Sequence, residues 1–343
     1  MKNTAKFYIG IDISKDQLDY AILKGKTRMV QGKMSNTTES ITASTQELPL
    51  GHGIKIKDCI FGLEHTGMYG NLLLKALNQA KATIVYENAT TIRSSLGNLR
   101  GKTDPIDADR IARYLYKCRE EFKTWQPKRD IISQMAALSS LREKLCSIKN
   151  RLSVPLKEFK KFSDSKTYSE LKLHCDSSVA SLKANLLELD RSIREIWQSD
   201  PQLKSKMELM MSVPAIGPQT ALQILIKTNE FLDINDPRKF ACFCGVAPFP
   251  YQSGNSVIRK SRISKMGDRK MKSLLHICAM GALKSPTEFR EYFERKTSEG
   301  KHGMLIINAI RFKLILRVFA CIRDNRAYQK QYPANKTAEM PAV

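Results

Sequence analysis

No stretch of this 343-residue sequence approaches the ~20 consecutive apolar residues that cross a bilayer. The N-terminal MKNTAKFYIGID lacks an apolar run followed by a cleavage site. A cytoplasmic chain with no membrane partner is therefore expected. The eight cysteines are scattered rather than set in a disulfide framework. Cys242 and Cys244 are one residue apart with no second Cys/His pair nearby, which is wrong for a zinc finger; both read as small buried residues. No internal repeat is present. Acid is also in deficit, with 34 Asp and Glu against 57 Lys and Arg, a formal charge of +23. Such a field attracts polyanions and speeds their encounter. Nucleic acid is the leading partner class, implying a nucleoid-associated protein; a ribosomal or membrane-surface role is the lesser alternative.

Within that basic chain the acids are not evenly spread. KTDPIDADRIARYL, residues 102–115, places Asp104, Asp107 and Asp109 within six positions. The first ~120 residues alternate strand and helix signals. KFYIGIDIS, LDYAILKG, TRMVQGKM, DCIFGLE and ATIVYEN read as strands; SNTTESITASTQEL, MYGNLLLKALNQA and the acidic stretch through about Lys117 read as helices. That order predicts a mixed α/β sheet with helices on its faces. Residues 126–204 predict a helical linker. Its stripes are Met135, Leu138, Leu141, Leu145, Ile148 and Leu152, then Leu182, Leu186, Leu189, Ile193 and Ile196, with Pro155 and KKFSDSKTY separating them. A hairpin buried against itself and a dimerising coiled coil fit equally. Residues 205–326 form a third, mostly helical block with an irregular basic loop, and 327–343 a disordered tail, leaving 1–125 as the α/β domain.

Asp12 ends the first strand, Glu64 ends a later one, and Asp104 and Asp107 open a helix. Strand ends and helix starts meet on one edge of an α/β sheet. Capping alone accounts for the helical pair: Pro105 suits the first helical position, making Asp104 the N-cap, and Asp107 favours the helix dipole. Asp109 reads as a solvated charge near Arg110 or Arg113. The alternative joins all four acids around a hard divalent cation, which takes carboxylate oxygens and bridges to phosphate. Two such ions stabilise both oxygens of a phosphoryl transfer. His65, beside Glu64, points to the other face of its strand and is not expected to be catalytic.

YIGIDISKDQLD, FGLEHTG and GKTDPIDADRIA, in that order, resemble the three blocks of the DEDD transposases. These are RuvC-like enzymes that include the Piv and MooV-type invertases. The resemblance implies an RNase H-like (RuvC-like) N-terminal domain. It also implies one or two Mg²⁺ held by a tetrad at Asp12, Glu64, Asp104 and Asp107.

YQSGNSVIRKSRISKMGDRKMKSLL groups Ser253-Gly254 with Arg259, Lys260, Arg262, Lys265, Arg269 and Lys270. A basic phosphate-binding loop with incidental serines is one reading. The other is a serine that attacks a phosphodiester amid cations. GVAPFPYQSGN with RISKMGDRKMKSLL looks like the C-terminal domain of the same family, whose catalytic serine lies in a Ser-Gly pair; that assigns the role to Ser253 rather than Ser256, Ser261 or Ser264. SVPAIGPQTALQIL resembles a helix-hairpin-helix, with Ala215 where the first Gly is usual and Gly217 at the second. Phosphate contact at Gly217 and a packing role fit equally.

The resemblance thus implies a transposase of an insertion sequence. It would cut and rejoin donor and target double-stranded DNA through a phosphoseryl link, guided by a structured bridge RNA and working as a dimer or tetramer. A hydrolytic RuvC-like nuclease, such as a junction resolvase, is the alternative. A non-catalytic nucleic-acid-binding protein is the third reading.

Overall fold

The computed structural model describes residues 6–43, 54–65, 67–97, 101, 103–253, 257–264, 266–284 and 287–330, with side chains for all of these except 250–261. By contact the chain divides into two compact units, residues 1–127 and 128–343.

The first unit is built on a five-stranded sheet. Strands β1 (Phe7–Ile13), β2 (Gln17–Lys24) and β3 (Thr27–Ser35) form an antiparallel meander. Strands β4 (Cys59–Glu64) and β5 (Thr83–Glu87) then add in parallel beside β1. The order β3-β2-β1-β4-β5 is the RNase H-like arrangement expected from the motifs. Alternate residues of β1 face opposite sides of the sheet. Ile9, Ile11 and Ile13 pack with Leu73, Leu74 and Leu77 of α1 (Asn71–Gln79). Tyr8 faces the other side, with Ala108, Ile111, Ala112 and Leu115 of α3 (Asp104–Lys117). Between β5 and α3 lies a short helix that the sequence reading passed over, α2 (Ala89–Leu96), bracketed by Asn88 and Gly97.

The second unit begins with two long helices, α4 (Asp130–Phe162) and α5 (Ser165–Ser199). They pack along each other as a hairpin, and Arg142 on one donates to Asp190 on the other at 2.6 Å. Pro155 was expected to divide the two, but α4 runs through it. Proline in a helix interior costs about 3 kcal/mol in a lost backbone bond and a ring clash, which the packing of α4 along α5 offsets. The break comes instead at Ser163, where Asp164 accepts from the Thr167 N–H at 2.9 Å and caps α5. At the root of the hairpin, Ile132, Met135, Ile193 and Trp197 are buried in the C-terminal core.

That core gathers α6 (Pro201–Met211), α7 (Pro218–Thr228), α8 (Pro237–Phe243), α9 (Arg269–Ala282), α10 (Glu288–Ser298) and α11 (Gly303–Arg323). Helix α11 supplies Ile306, Ile310, Leu314, Ile315 and Val318 to it. The stretch read as an irregular loop is a two-stranded hairpin, β6 (Pro248–Ser253) and β7 (Val257–Ile263). Two prolines hid the strand; the register shifts between Phe249 and Tyr251, where Pro250 has no N–H to give. The tail set apart from 327 starts docked. Tyr328 donates its N–H to the Ser212 hydroxyl at 2.8 Å, and Lys330 pairs with Glu291 at 3.0 Å. Residues 331–343 lie outside the described part.

Candidate active site

Helix α3 lies directly on the sheet because β1 and β4 carry glycine beneath it. A Cβ on Gly10 would fall 2.2 Å from the Ala108 carbonyl oxygen and 2.3 Å from the Ala112 nitrogen. One on Gly62 would fall 2.7 Å from the Leu115 side chain. The same-face residues of β1 set the direction of the helix. Tyr8 meets Tyr116 edge to face at 5.4 Å between centroids, and Gly10 meets Ala112 and Ala108. Helix α3 therefore runs antiparallel to β1, and its first turn arrives over the strand's C-terminal end, where Asp12 sits.

The charge on Asp12 registers this convergence. Its carboxyl is pushed up from an ordinary 3.8 to about 6, first by burial and then by Asp107, Asp104, Glu64 and Asp19. All four residues of the expected tetrad thus share one electrostatic neighbourhood. Asp12 and Glu64 share a sheet row as well. Asp12 pairs with Asp19 across β1 and β2, Ile11 with Leu63 places Glu64 alongside Asp12, and Glu64 pairs with Glu87. Asp19 is buried, and the sequence reading missed it although it closes the first motif, YIGIDISKDQLD.

The helical pair is not explained by capping. The N-cap is Thr103 rather than Asp104, and it makes no side-chain capping bond. Asp104 is exposed at the first helical position, and Asp107 is half-buried one turn on. The Asp107 Oδ1 accepts from Arg110 at 2.8 Å, and Arg110 also donates to the Gly101 carbonyl at 2.8 Å. Asp109 is not a free surface charge: its side chain is 14% exposed, and it accepts from Arg113 at 2.6 Å. His65 is turned away, its Nε2 at 3.1 Å from the Tyr86 carbonyl and its ring on that of Tyr86.

Four carboxylates with no thiol or imidazole among them suit a hard, oxygen-seeking divalent ion, and the upward push on Asp12 is what such an ion would relieve. Among the described residues, no group of three or more His, Cys, Asp or Glu is closed tightly enough to hold an ion as it stands. Asp107 is engaged with Arg110 instead.

A family model for DEDD transposases of the IS110 type matches residues 9–159. A second model, for the transposase IS116/IS110/IS902 family, matches residues 207–294. The chain belongs to the IS110-type transposase family. The pilin gene-inverting protein of Moraxella bovis is 27% identical over 331 residues, covering 95% of this chain and 99% of the relative. An insertion element IS116 protein of Streptomyces clavuligerus is 26% identical over 170 residues, 49% of this chain and 41% of that one. Among solved structures, RuvC of Thermus thermophilus in complex with a Holliday junction substrate overlays weakly. Its TM-score is 0.29 at 11% identity, over 35% of this chain and 99% of that chain. As an IS110-type transposase, the protein is an enzyme that acts on DNA, of a family whose carboxylates imply a divalent metal.

The second match covers the segment with the transposase's other expected site residues. Ser253 is the last residue of β6, its backbone paired with that of Val257; its side chain, like those of Arg259 and Lys260 on β7, lies outside the described part. Lys265 lies outside it entirely. Arg262 and Arg269 are exposed, whereas Lys270 is taken up by an ion pair with Glu143 of α4. The hairpin's base is fixed. A Cβ on Gly267 would fall 2.4 Å from Gly245, and the Asp268 N–H donates to the Phe243 carbonyl at 2.8 Å.

In the helix-hairpin-helix-like turn, Ala215 adopts a left-handed φ of 66°, the conformation that favours the glycine usual there. Gly217 caps α7 in an extended conformation, and no atom stands within 4 Å of where its Cβ would be. The turn therefore keeps the hairpin geometry despite the substitution, with Gly217 in open space.

No helix among the described residues is long and apolar enough to cross a membrane.

Proposed function

We propose that this transposase is an insertion-sequence recombinase that cuts and rejoins DNA through Ser253, with Asp12, Glu64, Asp104 and Asp107 as the ligands of one or two Mg²⁺. The observation that carries the reading is the joint pressure of Asp107, Asp104 and Glu64 on Asp12. Carboxylates that repel each other beside a polyanion make chemical sense once a cation joins them. A bound Mg²⁺ would supply neutralisation of charge on the phosphate during transfer.

In the proposed step the Ser253 Oγ attacks phosphorus. An Oγ–P bond forms, the bond from phosphorus to one strand's bridging oxygen breaks, and that strand leaves as a free hydroxyl carrying the serine proton. The phosphodiester energy stays in the phosphoseryl link, so rejoining needs no nucleotide cofactor. That economy suits inversion, the activity in the name of the Moraxella relative, in which the ends that are cut must be rejoined. Arg262 and Arg269, with Arg259, Lys260 and Lys265, would bind phosphates, and the open backbone at Gly217 would meet another. Four strand cuts per exchange call for a dimer or tetramer. A bridge RNA pairing with donor and target DNA would supply sequence choice, with the +23 charge holding both polymers.

The test is a denaturing gel of the purified chain with donor DNA, target DNA, RNA transcribed from the element's flank, and Mg²⁺. A protein–DNA adduct is expected from wild type and none from Ser253→Ala. Free cleaved ends from Ser253→Ala at an undiminished rate would establish hydrolysis instead, and an adduct formed equally well without RNA would remove the guide from the scheme.

A further inference from the structure

Burying a carboxylate is costly unless a cation or several donors compensate it, and two like charges directly opposite on neighbouring strands repel. Asp19 meets both conditions. It is 4% exposed and stands opposite Asp12 in the antiparallel register, on the face that carries Gly10 and Ala21. Among the described residues it has no Lys, Arg or His partner; its one hydrogen bond is from the Gln17 Nε2, at 2.8 Å to Oδ2. Gln17 is itself fixed by the turn that joins the strands. The Ser14 N–H donates to the Gln17 carbonyl at 2.9 Å, and the Ser14 hydroxyl donates to the same carbonyl at 2.7 Å. The chain thus holds an acid beside Asp12 with no cation against it among the described residues. A carboxylate there deepens the potential well in which a cation would sit.

We propose that Asp19 is a positioning residue of the metal centre, a fifth acid held by Gln17 behind Asp12 that strengthens divalent-ion binding from outside the ligand tetrad. The proposal rests on the reading of Asp12, Glu64, Asp104 and Asp107 as metal ligands. Acids and amides that support a ligand from behind change metal affinity by about 10–100-fold when removed.

The test is a thermal-shift titration of the full chain, stripped with EDTA and dialysed, against MgCl₂ and separately MnCl₂. The variants are Asp19→Asn, which keeps the shape and leaves an oxygen for Gln17, and Gln17→Leu, which leaves the acid but frees it. Asp109→Asn, in the ion pair with Arg113, is the control. Wild type and Asp109→Asn should share one midpoint. Asp19→Asn should need about tenfold more ion for the same rise, and Gln17→Leu should shift the midpoint the same way by less. A residue that merely packs would lower the ion-free melting temperature and leave the midpoint alone. Unchanged midpoints in both variants, with a responding wild type, overturn the proposal and leave the tetrad standing. A wild type that responds to neither ion overturns the tetrad reading and this proposal with it.

Discussion

Asp12→Asn should make the ion-free protein more stable at neutral pH while abolishing its action on DNA. The folded carboxyl titrates at about 6 against an ordinary 3.8. A raised carboxyl means that the folded state holds its proton longer than the unfolded one. Its ionisation therefore opposes folding, by nothing below about pH 3.8, increasingly through the interval, and fully above about 6. Two units at about 1.4 kcal/mol each give an upper bound of about 3 kcal/mol. Asp12 is only half-buried, and solvent screening brings this to about 1 kcal/mol. At about 2–4 °C per kcal/mol, Asp12→Asn should raise the first unfolding transition by about 3 °C in EDTA at pH 7.5. The gain at pH 5 should be about half of that. Calorimetry of the full chain at both pH values reads this directly, and saturating Mg²⁺ should remove the advantage by stabilising the wild type alone. An Asp12→Asn chain no more stable than wild type at pH 7.5, or equally shifted at both pH values, would refute the claim that neighbouring acids press on Asp12.

The tight seating of α3 makes Gly10→Ala severe. A Cβ 2.2 Å from a backbone oxygen forces the helix off the sheet, at a cost of about 1–3 kcal/mol or more, and carries Asp104 and Asp107 away from Asp12, so circular dichroism melting and Mg²⁺ response should fall together. Ala215→Gly should stabilise the second unit by about 0.5–1 kcal/mol in chemical denaturation, since glycine relieves the left-handed strain. Gly217→Ala should leave melting unchanged, there being no atom within 4 Å of the new methyl, yet weaken DNA binding measured by fluorescence anisotropy. Binding to duplex DNA should fall steeply with salt, log K dropping by about 0.9 per phosphate neutralised for each tenfold rise.

The α/β order was legible because it depends on local pattern, as was the placing of Asp12 and Glu64 at strand ends and of Asp104 and Asp107 at a helix start. What sets how near those elements come to one another was not local. It lies in Gly10 and Gly62, whose missing side chains let α3 lie against β1 and β4, and in the register that sets Asp19 against Asp12. Thr103 rather than Asp104 is the cap, which turns on where the chain bends before the helix. Pro248 and Pro250 masked β6, and Pro155 suggested a break that the paired helices override. The β-branched Val257, Ile258 and Ile263 in VIRKSRI were the signal for β7 that a basic composition obscured.

Manganese binding followed by electron paramagnetic resonance is the most direct test of the central claim, because it reads the ion without DNA, RNA or turnover. Wild type should bind Mn²⁺ stoichiometrically, and Asp12→Asn, Glu64→Gln, Asp104→Asn and Asp107→Asn should each weaken or lose that binding while remaining folded. Four folded variants that bind Mn²⁺ as wild type does would show that these acids do not form a metal centre.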